Sequence, residues 1–142
     1  MIKNAEFVCA DINEFCQQHK NAFDVGFTMD FSEHVYDQEW VQILRSIRKS
    51  LKPNGKLYLH TPNAEFFLEK MKNKNVIVKQ LSGHVAVRTP EHNVALLREA
   101  GFNVAKVWLI PHYNIFRLVH PFSYIPVLGK YLKARIFIEA TA

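Results

Sequence analysis

The chain has 142 residues, is 49% hydrophobic and 22% charged, and carries a formal net charge of +5. That length suits one domain with a real core, and that composition excludes a disordered segment or a disulfide scaffold. No apolar run nears the ~18 residues a membrane-spanning helix needs. Residues 1–6 lack the basic-then-apolar layout of a secretion signal. The two cysteines, Cys9 and Cys16, show no metal-type spacing, so both read as reduced thiols of a cytoplasmic protein. The charge is uneven, with seven Lys/Arg against eight Asp/Glu in residues 1–63 and eleven against five in 64–142. The basic half reads first as a solvated face.

Ala5-Glu6-Phe7-Val8-Cys9-Ala10 is a short β-prone run ending at Asp11. A weak helix from Phe15 to about His19 breaks at Lys20-Asn21. Residues 24–29 form a second strand, apolar at nearly every position, as in a strand buried on both faces of a parallel sheet. The next helix is the clearest element. Asp37 is placed to cap it, and Trp40, Leu44, Ile47 and Leu51 form one apolar stripe. Pro53-Asn54-Gly55 stops it, with Gly55 expected to take positive φ. Residues 56–61 follow as a strand, completing a βαβ unit. Asn63 is expected to cap a helix running through Phe67 and Met71 to about Lys72.

Residues 74–88 fit neither period. Thr89-Pro90 starts a further helix that ends at Gly101. A strand from Phe102 to Leu109 and a last strand over 135–140 close the pattern. Between them, residues 112–133 are aromatic, hold two prolines and lack a period, so they read as an insertion within one domain. That insertion is either a satellite core over the sheet, a cover for an acceptor pocket, a dimer face or a membrane-surface contact. Its aromatic and basic residues come with no nucleic-acid motif, so no nucleic-acid partner is expected.

The stretch from Asp11 to Phe102 resembles the second half of class I S-adenosylmethionine-dependent methyltransferases. The matching pieces are Asp11, Phe23-Asp24-Val25, Glu33-His34-Val35, Leu51-Lys52-Pro53-Asn54-Gly55, Thr61-Pro62-Asn63, Gly83-His84-Val85, Thr89-Pro90-Glu91 and Leu97 through Phe102. Single pieces are weak, but their order is specific. The resemblance implies a Rossmann-like, doubly wound, mostly parallel sheet with an antiparallel last strand. It covers residues 1–142 as a single partial domain, apart from the insertion.

That family carries a glycine-rich loop after its first strand and an acidic residue ending its second. The five glycines here stand at 26, 55, 83, 101 and 129, so no G-x-G pattern occurs. By the family's strand order, 3-2-1-4-5-7-6, the run at 5–10 corresponds to the third strand and residues 24–29 to the fourth. Strands one and two are absent between them. The strand at 24–29 is then an exposed apolar edge, expected to pair with a second copy, a swapped strand or a partner.

By resemblance, Asp11 meets the adenine amino group, Ile12 packs on the ring, and Thr28, Met29 and Asp30 flank the methionine part of the cofactor. Asp11 also reads as a helix cap, and Met29 and Phe31 as core. His34 is either a general base or a structural loop histidine. His60, His84, His112 and Tyr113 are weaker candidates on the acceptor side, where a small molecule with an O, N or C nucleophile is expected. The seven histidines show no i, i+4 pair and no zinc-type spacing to a carboxylate, so no metal is expected. A truncated, inactive fold serving as an assembly subunit is the alternative.

Overall fold

The protein is seen in a computed structural model that describes residues 4–73, 83–111 and 121–142. Its strands are β1 (Phe23–Met29), β2 (Leu51–Pro62), β3 (Asn103–Ile110) and β4 (Arg135–Thr141). They form one sheet in the order β1-β2-β4-β3. β1 and β2 run parallel, and β4 runs antiparallel to both β2 and β3. This is the tail 4-5-7-6 of the expected order, with the last strand reversed.

The helices are α1 (Ile12–Gln18), α2 (Asp37–Ser50), α3 (Phe67–Asn73) and α4 (Pro90–Glu99). The stripe on α2 is buried as its spacing requires, joined by Val41 and Ile43. The antiparallel register sets Leu57 opposite Ala140 and Leu59 opposite Ile138. Because side chains alternate along a strand, these residues and Ile136 share one face. α1, α2 and α4 pack over that face in a single core. Each fully buried Leu or Ile there contributes about 1.5–3 kcal/mol. Ser46 of α2 hydrogen-bonds Asn13 of α1 at 2.7 Å and fixes how the two helices meet.

The opposite face carries a row of rings. Phe27, Tyr58 and Phe137 stack in turn and Trp108 packs tilted against Phe137, a row across all four strands with centroids 5.4, 5.7 and 5.7 Å apart. Phe27 is 64% and Trp108 41% exposed. Tyr58 and Phe137, the inner two, are partly buried.

Several local expectations need correction. Residues 5–10 form no strand, and Phe7 is 91% exposed. A lone extended run with no ladder partner leaves its backbone groups to water. Asp37 is the first residue of α2 and not its cap; Tyr36 holds the cap position without a side-chain bond. The Asp37 carboxylate is turned instead to Arg88 and His92.

At the 53–55 turn, positive φ falls on Asn54 (64°). Gly55 serves for space, since a Cβ there would sit 2.9 Å from the Lys52 carbonyl. Asn63 lies ahead of α3 and does not cap it. Its side chain accepts from the Glu65 amide and donates to the Lys133 carbonyl, tying the end of β2 to the chain before β4. Thr89 caps α4 as expected, and Gly101 ends it with φ 94°. Residues 121–133 form short 3-10 turns between β3 and β4. No helix among the described residues is long and apolar enough to cross a membrane.

Candidate functional site

The carboxyl ends of β1 and β2 gather most of the polar residues singled out by sequence. Asp30 turns the chain out of β1 with φ 49°, a conformation Asp tolerates better than most residues. Its amide donates to the His60 carbonyl at 2.9 Å. Its carboxylate accepts from Arg135 at 2.8 Å and lies 3.2 Å from His60 Nδ1. The His60 contact is close but not aligned as a hydrogen bond, so Arg135 is the partner that fixes Asp30.

Next comes a single 3-10 turn, Ser32–His34. Glu33 is 1% exposed and accepts from the Thr61 hydroxyl at 3.1 Å, while Thr61 accepts from the Ser32 hydroxyl at 2.9 Å. The Glu33 carbonyl accepts from the amides of Val85 and Ala86. The His34 ring meets the Gly83 carbonyl through Nδ1 at 2.9 Å. A carbonyl only accepts, so that nitrogen carries the proton and Nε2 is left as a lone-pair donor. His84 lies edge-on to His34, 5.0 Å between centroids, with a buried Nδ1 that has no hydrogen-bond partner. Ligand atoms of Glu33, His34 and His84 all lie within 4.8 Å of one another.

Arg88, which the sequence reading missed, holds this turn in place. It is 3% exposed. It donates to the Ser32 carbonyl at 2.6 Å, the Val35 carbonyl at 2.7 Å and the Asp37 carboxylate at 2.7 Å. Burial alone would push the Asp37 carboxyl up, but the Arg88 guanidinium and His92 beside it hold it below its ordinary value. The only signal for Arg88 was an arginine in the aperiodic run after His84, where nothing marks a side chain as pointing inward. The Ser32–Thr61–Glu33 chain of hydrogen bonds was equally silent, because its members are 29 positions apart.

Along β1 runs an apolar groove of about 350 Å3. It is walled by Ile12, Phe15, Phe27, Thr28, Met29 and Phe31 among others. Thr28 Oγ1 lies there without a hydrogen-bond partner. Met29 and Phe31 are exposed groove residues and not core. Asp11, just ahead of Ile12, caps α1 by accepting through Oδ1 from the amides of Asn13 and Glu14. A larger cavity of about 830 Å3 lies at the start of β2, lined by Lys20, Arg48, Lys49 and Lys52. That is the amino end of the parallel strands, away from the end where open α/β sheets bind ligands.

The structure thus brings Ile12, Thr28 and Met29 to one groove, Asp30 to His60, and His34 to His84. His112 and Tyr113 lie outside the described residues. Burial pushes the Cys16 thiol up, which keeps it inert.

The family model for the methyltransferase domain matches residues 2–107. A search of curated proteins by sequence found no match. Among solved structures, a SAM-dependent methyltransferase from Archaeoglobus fulgidus is 16% identical, with TM-score 0.71 over 95% of this chain and 66% of that one. The Burkholderia thailandensis 1,6-didemethyltoxoflavin-N1-methyltransferase, bound to 1,6-didemethyltoxoflavin and S-adenosylhomocysteine, is 14% identical, with TM-score 0.61 over 95% of this chain and 49% of that one. A complex of the Haloferax volcanii Trm112 methyltransferase activator with its putative methyltransferase matches at 16% identity and TM-score 0.59, over 87% of this chain and 55% of that one. The chain spans two thirds or less of the length of each of these three proteins.

Proposed function

The chain belongs to the methyltransferase-domain family, and from that premise we propose that it forms part of an S-adenosylmethionine-dependent methyltransferase acting on a small molecule through an O, N or C nucleophile. The observation that carries this reading is the apolar groove along β1, walled by Ile12, Phe15, Thr28 and Met29. Apolar walls suit an adenine ring and a thioether-like chain. Ile12 would pack on the ring, with the Oδ2 of Asp11 left to meet its amino group. Thr28, Met29 and Asp30 would flank the methionine part. S-adenosylmethionine, when bound, supplies a methyl group on a sulfonium.

This chain's task is then to align the acceptor and to take its proton. His34 fits the second role, because its Nδ1–H is held by Gly83 and its Nε2 is free. His84, edge-on to His34, and His60, beside Asp30, would face the acceptor. The ribose and amino-acid ends of the cofactor call for the family's glycine loop and second-strand acid, which no part of this sequence supplies. Cys9 and Cys16 are both free thiols, in keeping with a cytoplasmic protein. Calorimetric titration of the full chain with S-adenosylmethionine tests this reading. Saturable one-site binding, weakened in Thr28→Val, is expected; no heat at millimolar ligand contradicts it.

A second reading rests on the exposed edge. Phe23, Val25, Phe27 and Met29 are all exposed on β1, which ladders on one side only among the described residues. Such an edge is a template for another strand. The activator-bound Haloferax relative lends this some weight. Here the chain would work as an assembly subunit, paired through β1 with a second copy or a companion segment. A monodisperse monomer in light scattering would contradict it.

A further inference from the structure

We infer that Glu33, His34 and His84 form a binding site for one divalent transition-metal ion of the zinc type. Two imidazoles and one carboxylate are a donor set that suits Zn2+ and its first-row neighbours. Three features of this chain point to a ligand, beyond the closeness of the three side chains.

Glu33 is a buried carboxylate with no ion-pair partner among the described residues. Only a hydroxyl answers it. Taking a carboxylate out of water without an opposing charge is costly, and a bound cation offsets that cost directly. His84 Nδ1 is buried without a hydrogen-bond partner, and a buried ring nitrogen left unanswered by the protein is one that an ion can engage. His34 has its Nδ1 held by a backbone carbonyl. That bond is the usual outer support of a metal-bound imidazole, since it fixes the tautomer and aims Nε2.

The supports are built in on both sides. Thr61 anchors the carboxylate, and the amides of Val85 and Ala86 hold the His84 segment against the Glu33 backbone. Arg88 clamps the same turn from beneath. Two donors on one such ion stand no more than about 4.2 Å apart, given bonds of about 2.1 Å. Closing the set from 4.8 Å therefore asks for a small swing of the His84 ring, which no hydrogen bond opposes. Three protein ligands leave a coordination position open, so an oxygen of water or of an acceptor can complete the ion's shell.

A ring bound through Nε2 cannot also accept a proton. With the ion in place, activation of an acceptor hydroxyl passes from His34 to the metal. That last step rests on the methyl-transfer reading, whereas metal binding does not.

The test is titration of the tag-free full chain with Zn2+ and with Co2+ alone, read by calorimetry and by the visible spectrum of bound cobalt. One equivalent should bind, with the cobalt absorption of a four- or five-coordinate site. His34→Ala, His84→Gln and Glu33→Gln should each weaken affinity at least tenfold, and Thr61→Val about 10–100-fold through loss of its support. His92→Ala should leave affinity unchanged. Circular dichroism of each variant separates lost ligands from lost fold, with His84, whose Nδ1 makes no hydrogen bond, giving up no protein contact through that atom. Absence of stoichiometric binding, or affinity untouched by His84→Gln in a folded chain, overturns the site. Either result leaves S-adenosylmethionine binding to be judged on its own titration.

Discussion

The two faces of the sheet come from the same strands yet live in different environments. On one, Leu57, Leu59, Ile136 and Ile138 are sealed beneath α1, α2 and α4. On the other, Phe27, Tyr58, Phe137 and Trp108 pack in a row, with the outer two rings open to solvent. Apolar character alone did not decide which residues are buried; the presence of a covering helix did. The difference assigns work to each side. The packed face gives stability, while the proposed ligand and partner surfaces fall on the β1 edge and the strand ends.

Substitutions across the sheet should break this symmetry most clearly. Leu59→Ala is expected to cost about 2–5 kcal/mol, since it opens a cavity in a sealed core. Phe27→Ala on the open face should cost about 1 kcal/mol or less. Urea denaturation with unchanged slope measures both, and equal losses would contradict the division. Arg88→Met comes next. It strands the Ser32 and Val35 carbonyls, at about 1–3 kcal/mol for each one that water cannot reach. Here the loss should appear in denaturation together with faster proteolysis of the 31–36 turn.

A smaller effect should follow pH. The Asp37 carboxyl is held below its ordinary value by Arg88 and His92, against the upward push of burial. Its contribution is therefore complete above the ordinary carboxylate range and is lost as pH falls through the lowered folded value. Asp37 is half-exposed, so solvent screening keeps the contribution below about 1 kcal/mol. Melting temperatures of the wild type and Asp37→Asn, compared from neutral to acidic pH, should converge on acidification. A gap that persists would contradict the assignment. Smallest in stability is Phe27→Lys, which should lower the melting temperature no more than Phe27→Ala does while abolishing any β1-mediated association seen by light scattering.

The frame was legible because α2 and α4 carry strong local signals. Trp40, Leu44 and Ile47 fix the buried stripe, and Thr89-Pro90 with Gly101 bracket α4 at both ends. Strand order followed from the family resemblance and not from any residue. What stayed hidden depends on contacts distant in sequence. Residues 5–10 look like a strand by composition, but a strand exists only with a neighbour. Asp37 looks like a cap until Arg88, 51 positions away, claims its carboxylate. The grouping of Glu33 and His34 with His84 was invisible for the same reason. The Gly83 loop brings His84 back across some fifty residues, where no ligand spacing rule applies.

Under the proposed reading, ligand recognition belongs to the β1 edge and the strand ends, with the packed face as support. Hydrogen exchange of the full chain with and without S-adenosylhomocysteine tests this most directly. Slowed exchange is expected over residues 26–34 and at the start of α1, with the amides of Ile136 and Ile138 in the packed core unchanged. Protection confined to residues 48–54 around the basic cavity, or none under saturating ligand, would contradict it.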